Sequence, residues 1–503
     1  MQHSTRKTAA WYPDQRAVVV VVCAVHAARS EPRALSAKLE IPLEQIERLF
    51  EVNTKELYKI VDAFEHDLKA GLEAGGSTIP MNLTWVFDPP SGNETGSFLA
   101  LDLGGTNIRI CWITLNGRGM KTEMIQDSYK LPSKIRTGDA DALWNNVAHS
   151  LQKFIEKHGL GGTAEQPIPF GFTFSYPATP HYIDHGILQR WTKGLDINGV
   201  EGEDAAGQLR EAMEKKQNLP FRLVALINDT TGAMVASMYN DPSTIIGAIF
   251  GTGCNAAYMQ DCSSIPRLPY EVPKDRKMAI NCEYGAFDDQ HRVLPRTKYD
   301  IQIDEESPKP GQQTFEKLSA GYYLGEIFRL AMVDLHDQGL VFKDQPNQKL
   351  RTPYVLDTGF LSLLEDDSSR NMSASKKQYK ELLNINATDE EMTVSHRLAE
   401  AIAVRGARLC ACGVAAICTM KNIQRGHVAA DGSVANKHPK FQKRWADALG
   451  EVIGWPKNRT EDPITMVSAE DGSGIGAAVI AAMTVDRASR RDSLRISDQK
   501  IGQ

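Results

Sequence analysis

An excess of charge of one sign is missing from this chain: 57 Lys and Arg face 63 Asp and Glu in 503 residues, a net charge of -6. A surface so balanced offers no basic stripe for a polyanion, so nucleic acid is not expected as a partner. Long apolar runs are missing too. The longest uncharged one, Ala17 to Ala28, is short of the roughly 20 residues of a membrane helix, and no span is expected. Preceded by Arg6, Lys7 and Arg16, it imitates a secretory signal, but the free-thiol pattern of the cysteines belongs inside the cell, and residues 1–40 are read as a tail. The eight cysteines contain no C-x-x-C. They read as reduced thiols of a cytoplasmic protein, with Cys410, Cys412 and Cys418 as small buried hydrophobes. His181 and His185 have the spacing of a zinc pair, yet they lack its glutamate and sit among Pro177, Pro180 and Gly186, which oppose a helix. No G-x-x-x-x-G-K-[ST] occurs, which excludes a P-loop.

What is present is a globular composition, 42% hydrophobic and 24% charged, in a chain long enough for several units. Leu43 to Leu72 carries apolar residues at helical spacing and predicts a pair of helices. Phe98 to Leu103 and the alternating Ile108, Ile110 and Trp112 predict a hairpin around Gly104-Gly105-Thr106-Asn107. Ile245 to Phe250, Gly251-Thr252-Gly253 and Asn255 to Met259 predict a second hairpin of the same design, which suggests an internal duplication. Phe170 to Phe174, Phe221 to Ile227 and Ile464 to Ala469 read as strands. Gln312 to Met332, Met392 to Met420 and Ile475 to Met483 read as helices, Glu365 to Lys380 as an exposed connection, and the residues from Asp486 as a solvated tail. Strands alternating with helices place the chain in the α/β class.

Three glycine-rich turns follow strands: Gly104 to Asn107, Gly251 to Asn255, and Gly472-Ser473-Gly474. Successive N–H groups in such turns form anion-binding nests, and three in one chain, two with threonines and one beside Arg109, suggest a phosphate clamp. Gly472-x-Gly474-x-x-Ala477 also fits the dinucleotide fingerprint, but no second strand with a ribose-binding acid follows it, and a Rossmann dehydrogenase is set aside. Asn228-Asp229 stands where a strand gives way to a helix, a place for a helix cap and equally for a carboxylate that accepts a hydroxyl proton.

In order along the chain, Leu101-Asp-Leu-Gly-Gly-Thr-Asn107, Gly171-Phe-Thr-Phe-Ser175, Trp191-Thr-Lys-Gly194, Leu226-Ile-Asn-Asp-Thr-Thr-Gly232, Phe250-Gly-Thr-Gly-Cys-Asn255, Asn281-Cys-Glu-Tyr-Gly-Ala-Phe287, Ser307-Pro-Lys-Pro-Gly-Gln-Gln313 and Ala430-Asp-Gly-Ser433 strongly resemble the eukaryotic hexokinase family. They look most like its fungal glucokinase branch. The resemblance runs from about Leu43 to about Met483 and implies an actin-like, ribonuclease-H-type fold. A large domain (41–95 with 228–478) and a small one (96–227 with 479–497) would flank a sugar cleft. The implied reaction is transfer of phosphate from ATP to the 6-hydroxyl of D-glucose or a related hexose, with Mg2+. Asp229 and Lys193 would be catalytic. Ser175, Thr192, Lys193, Asn228, Asp229, Asn255, Glu283 and Glu316 would bind the sugar. Asp102, Gly104, Gly105, Thr106, Asn107, Arg109, Thr252, Gly253, Gly432, Ser433 and Gly472 would face the nucleotide, and Asp102 and Asp229 the metal, partly through water. Two departures from the family pattern stand out: Pro180, where Gln is common, and Ala435, where an aromatic is usual. A monomer or homodimer is expected. A catalytically silent glucose sensor on the same scaffold is the alternative, and intact Asp229, Lys193 and phosphate turns favour the enzyme.

Overall fold

The computed structural model describes residues 35–501 except 74–76, 164–165, 193, 218, 270–271 and 470, and within that range not the side chains of 215–217 and 490–501. The apolar run Ala17 to Ala28 and Cys23 therefore lie outside the described residues.

Two sheets carry the fold. The first contains β2 (Thr95–Leu103), β3 (Asn107–Asn116), β4 (Glu123–Lys130), β5 (Ile168–Phe174) and β8 (Phe221–Ile227), in the order β4-β3-β2-β5-β8. The second contains β1 (Asn82–Phe87), β9 (Thr244–Phe250), β10 (Cys254–Asp261), β11 (Lys277–Asn281), β12 (Gly426–Asp431) and β13 (Ile464–Ser468), in the order β1-β11-β10-β9-β12-β13. A small hairpin joins β6 (Ala178–Tyr182) and β7 (His185–Leu188), and it holds His181 and His185 off any helix. In each large sheet three antiparallel strands are followed by two parallel ones. The two predicted hairpins thus open two copies of one topology, and β1 is an added edge strand on the second.

The first sheet is apolar on both faces, which is why Phe98 to Leu103 lacks alternation. Leu99, Leu101 and Leu103 pack with Leu143, Val147 and Leu151 of the helix Ala140–His158. Phe98, Ala100, Cys111 and Ile113 pack with Ala477, Ile480 and Ala481 of the C-terminal helix Gly472–Ile501. That helix crosses the helix Asp229–Asn240 at backbone distance: a Cβ on Gly476 would lie 2.1 Å from the Gly232 carbonyl oxygen, and one on Gly472 would lie 2.8 Å from the Ala233 Cα. Glycine is required here for contact between helices.

Several expectations are corrected. Gly472-Ser473-Gly474 is the first turn of a helix, not a loop; the chain turns at Asp471, with φ at 58°. The helix continues past Asp486, where the sequence lacks periodicity. Gln312 to Met332 is two helices, Thr314–Ser319 and Gly321–Asp337, because the Gly321 N–H leaves the helical ladder to bond the Gly251 carbonyl at 2.8 Å. A helix Ala37–Leu49, with Pro42 inside it, begins a few residues before Leu43, where the first helix is expected. Glu365 to Lys380 is largely exposed, but it is built of short helical turns and buries Glu365, Ser375 and Tyr379.

Among the described residues one helix, Asp389–Lys421, is long and apolar enough to cross a membrane, but 83% of its most apolar window is buried inside the fold, as a core helix is. Its Arg405 is fully buried against Asp300 at 2.7 Å, and this arginine interrupts the apolar run that a search for uncharged stretches would find. The described cysteines are all buried and unpaired, as expected of small hydrophobes.

Candidate active site

The segments singled out in the sequence converge on the carboxyl ends of the strands, the ligand-facing edge of such sheets. Gly104 to Asn107 follows β2, Ser175 follows β5, and Asn228-Asp229 follows β8; Gly251 to Gly253 follows β9, and Gly432-Ser433 follows β12.

At the first sheet the site is ionic. Arg109 Nη1 donates to Asp471 Oδ1 at 2.7 Å and Nη2 to Ser473 Oγ at 2.6 Å, with Asp102 Oδ2 at 3.3 Å; Ser473 Oγ in turn donates to Asp102 Oδ2 at 2.9 Å. Burial by itself would lower the affinity of the guanidinium for its proton; the Asp102 and Asp471 carboxylates outweigh it and raise the Arg109 pKa above its ordinary value. This arginine therefore ties the β2–β3 hairpin to the start of the C-terminal helix. Within the hairpin turn the Gly104 N–H donates to the Asn107 carbonyl at 3.0 Å, and Thr106 and Asn107 are exposed.

At β8 the side chain of Asn228 caps its helix by accepting from the Thr231 N–H at 3.1 Å. Its buried Nδ2 finds no hydrogen-bond partner among the described residues, so the amide is a donor in want of an acceptor. Asp229 Oδ1 accepts from the Thr230 N–H at 2.7 Å and the Thr230 hydroxyl at 3.1 Å. Asp431, at the end of β12, has its carboxyl pKa raised by burial first and then by the charge of Asp229.

At the second sheet the site is a buried amide network. Asn255 Nδ2 faces Thr230 Oγ1 at 3.0 Å, Asn281 Oδ1 at 2.8 Å and Glu283 Oε1 at 3.1 Å, while its Oδ1 accepts the N–H groups of Ala256 at 2.7 Å and Glu283 at 2.9 Å. Glu283 sits at φ 55° and also accepts from Asn281 Nδ2 at 2.8 Å. Glu316 Oε2 accepts the Cys254 N–H at 3.1 Å, and a Cβ on Gly253 would come within 2.8 Å of that oxygen. Gly432, at φ 114°, lies against β9, where a Cβ would be 2.5 Å from the Phe250 carbonyl oxygen.

The structure thus links Asp229 to Asn255 and Glu283 through Thr230, holds Asn228 beside them as the cap of the same helix, joins Asp102 to Arg109, and bonds Glu316 to Cys254 at the end of the β9–β10 turn. Gly105 lies in the first turn, Ser433 opens a short helix, and Thr252 is exposed on the second turn. Ser175 and Thr192 are half-buried, and Trp191 beside Thr192 is buried with its indole donating to the Ile197 carbonyl at 3.0 Å. Lys193 lies outside the described residues. Gly472 opens the C-terminal helix and packs against Ala233. Sequence reasoning gives no site role to Thr230, Asn281, Asp431 and Asp471, and has Ser473 only as part of a glycine-rich turn; Asp431 and Asp471, each directly before a glycine after a strand, are the legible signals.

Family models described as hexokinase match residues 42–239 and 245–483, meeting where the helix Asp229–Asn240 gives way to β9. The chain is 51% identical to a hexokinase of Emericella nidulans, over 91% of this chain and 93% of that one. It is 46% identical to hexokinase-2 of Saccharomyces cerevisiae, over 94% and 99%. A hexokinase of Schistosoma mansoni solved with glucose superposes with a TM-score of 0.79 at 31% identity, covering 88% of this chain and 99% of that one. The two repeated sheets are those of the two-domain actin-like ATPase fold. The chain belongs to the hexokinase family and catalyses the ATP-dependent phosphorylation of a hexose.

Proposed function

We propose that the sugar is D-glucose, phosphorylated at its 6-hydroxyl, and that Asp229 takes the proton of that hydroxyl as its bond to the γ-phosphate forms. The observation that carries this reading is the Asn255 network, which ties Asp229 through Thr230 to Glu283, with the donor Asn228 Nδ2 next in the chain, a polar array suited to neutral hydroxyls. The relative from Schistosoma mansoni, solved with glucose, supports the choice of sugar. Glu316, Ser175 and Thr192 complete the sugar site, and Lys193 neutralises charge on the moving phosphoryl group.

Asp102, Gly104, Gly105, Thr106, Asn107, Arg109, Thr252, Gly253, Gly432, Ser433 and Gly472 face ATP. No group of three or more metal-ligating side chains forms among the described residues, and the pair Asp102 and Asp229 fits Mg2+, which takes one or two carboxylates and keeps water and phosphate as its other ligands. These two would hold the ion, whose charge there would offset that of the phosphates. The two domains, 41–95 with 228–478 and 96–227 with 479–497, would close over glucose and exclude water, which competes as acceptor. A monomeric or homodimeric cytoplasmic enzyme fits the reading.

Asp229→Asn keeps size and polarity while removing the base. Its kcat for glucose 6-phosphate formation should fall by on the order of 10²–10⁴, the range of general-base removal, with glucose affinity by calorimetry little changed. Near-normal turnover in the folded variant would exclude Asp229 as the base.

A further inference from the structure

The helix that carries Glu316, Thr314–Ser319, has six residues, too few to hold itself together. Its first turn is pinned where the Thr314 N–H donates to Asp289 Oδ1 at 2.8 Å, after Gln313 at φ 59°. Its second anchor is unusual. Lys317, directly after Glu316, has a side chain only 4% exposed, and its ammonium donates to Asp304 Oδ1 at 2.6 Å, Ser307 Oγ at 2.9 Å and the Lys309 carbonyl at 2.9 Å. All three N–H bonds are used. Asp304 is itself held by Arg296 Nη2 at 3.1 Å and by the Gly311 N–H at 3.0 Å. Burying an ammonium is costly unless it is paired in this way, and a plain apolar side chain would serve stability at least as well.

The lysine instead fixes position. It binds the segment 307–311 and the helix Lys298–Glu306 to the turn that bears Glu316. There is no slack on the opposite side: a Cβ on Gly285 would meet Gln313 Oε1 at 2.4 Å and the Glu316 Cβ at 3.2 Å, and Gly285 follows Glu283 by two residues. A shift of this short helix is passed to both sugar-facing glutamates.

We propose that Lys317, through its buried ion pair with Asp304, is a positioning residue that sets Glu316 for the hexose. This rests on the reading of Glu316 as a sugar ligand. Such an interaction acts equally in the ground and transition states, so its loss appears in KM. In Lys317→Met, where Asp304 keeps Arg296, the glucose KM should rise about tenfold while kcat and the ATP KM stay within about threefold. Lys317→Arg, which keeps the charge, should recover most of the loss. An unchanged glucose KM, or equal losses in kcat and both KM values, overturns the proposal. Glu316→Gln separates the two readings. If it leaves the glucose KM unchanged, Glu316 is not a sugar ligand and the inference falls with that reading; if it raises the KM and Lys317→Met does not, the inference alone falls. Should Lys317→Met fail to fold, Ser307→Ala removes one acceptor and leaves the ion pair. A rise in glucose KM of about twofold is then expected, and no rise overturns the proposal.

Discussion

The two sheets share a topology but hold their ligand edges by different physics. At the first, Arg109, Asp102 and Asp471 make a charged clamp whose side chains are 27%, 20% and 40% exposed. At the second, Asn255 and Asn281 are buried and neutral, and the cost of their burial is met by hydrogen bonds alone. A partly exposed ionic clamp is suited to phosphate, whose charge it can meet at long range. A rigid set of amide donors and acceptors is suited to sugar hydroxyls, which are told apart by geometry. One topology used twice therefore yields two kinds of recognition, and the strand-end side chains make the difference.

The largest test breaks the joint that both halves share. Gly476→Ala forces a methyl against the Gly232 carbonyl, and since neither backbone can yield, stability should drop by about 3 kcal/mol or more in urea unfolding. A loss within experimental error would mean that the helices do not meet as described.

The next sharpens the contrast on the buried side. Glu365 lies under the segment that follows Gly432-Ser433: its side chain is fully buried, Arg444 Nη2 donates to it at 2.5 Å, and His438 Nε2 lies 3.3 Å away. Burial pushes this carboxyl up, but His438 and Arg444 more than reverse that and bring it to about 2. A depressed pKa contributes stability that is complete above the unfolded value near 4.5 and fades as pH falls toward 2, a contribution of roughly 3 kcal/mol. Acid unfolding of the wild type should therefore steepen between those limits, and Glu365→Gln should flatten it. Identical acid limbs would remove Glu365 from the account.

The smallest effect concerns the exposed clamp. Arg109→Gln should raise the ATP KM by about tenfold at low salt and by less in molar salt, because half-exposed charges are screened. The glucose KM should hardly move. A salt-independent effect, or one on glucose, would erase the distinction between the two edges.

Local pattern was enough for the hairpins and for Asn228-Asp229 at the end of β8, since alternation and helix capping are decided within a few residues. It failed where a distant backbone decides. Gly472 and Gly474 read as a loop because glycine is a poor helix former, yet the glycines of this segment suit a helix pressed against another about 240 residues away in sequence. Ala320 breaks a periodic run because Gly251, some 70 residues upstream, takes the Gly321 N–H. Glu365 looked like a solvated acid until Arg444 met it. Asp471 and Ser473 joined the site for the same reason, through Arg109 on a strand from the other end of the chain.

The C-terminal helix also imposes a schedule on synthesis. The face of the first sheet formed by Phe98, Ala100, Cys111 and Ile113 is covered by Ala477 to Met483. At about 5–20 residues per second, the ribosome leaves that apolar face open for roughly 20–70 seconds after the strands have emerged. The first half of the nascent chain can build its strands but cannot close its core, and a holdase that shields this one surface has a defined moment of release, when residue 483 clears the exit tunnel.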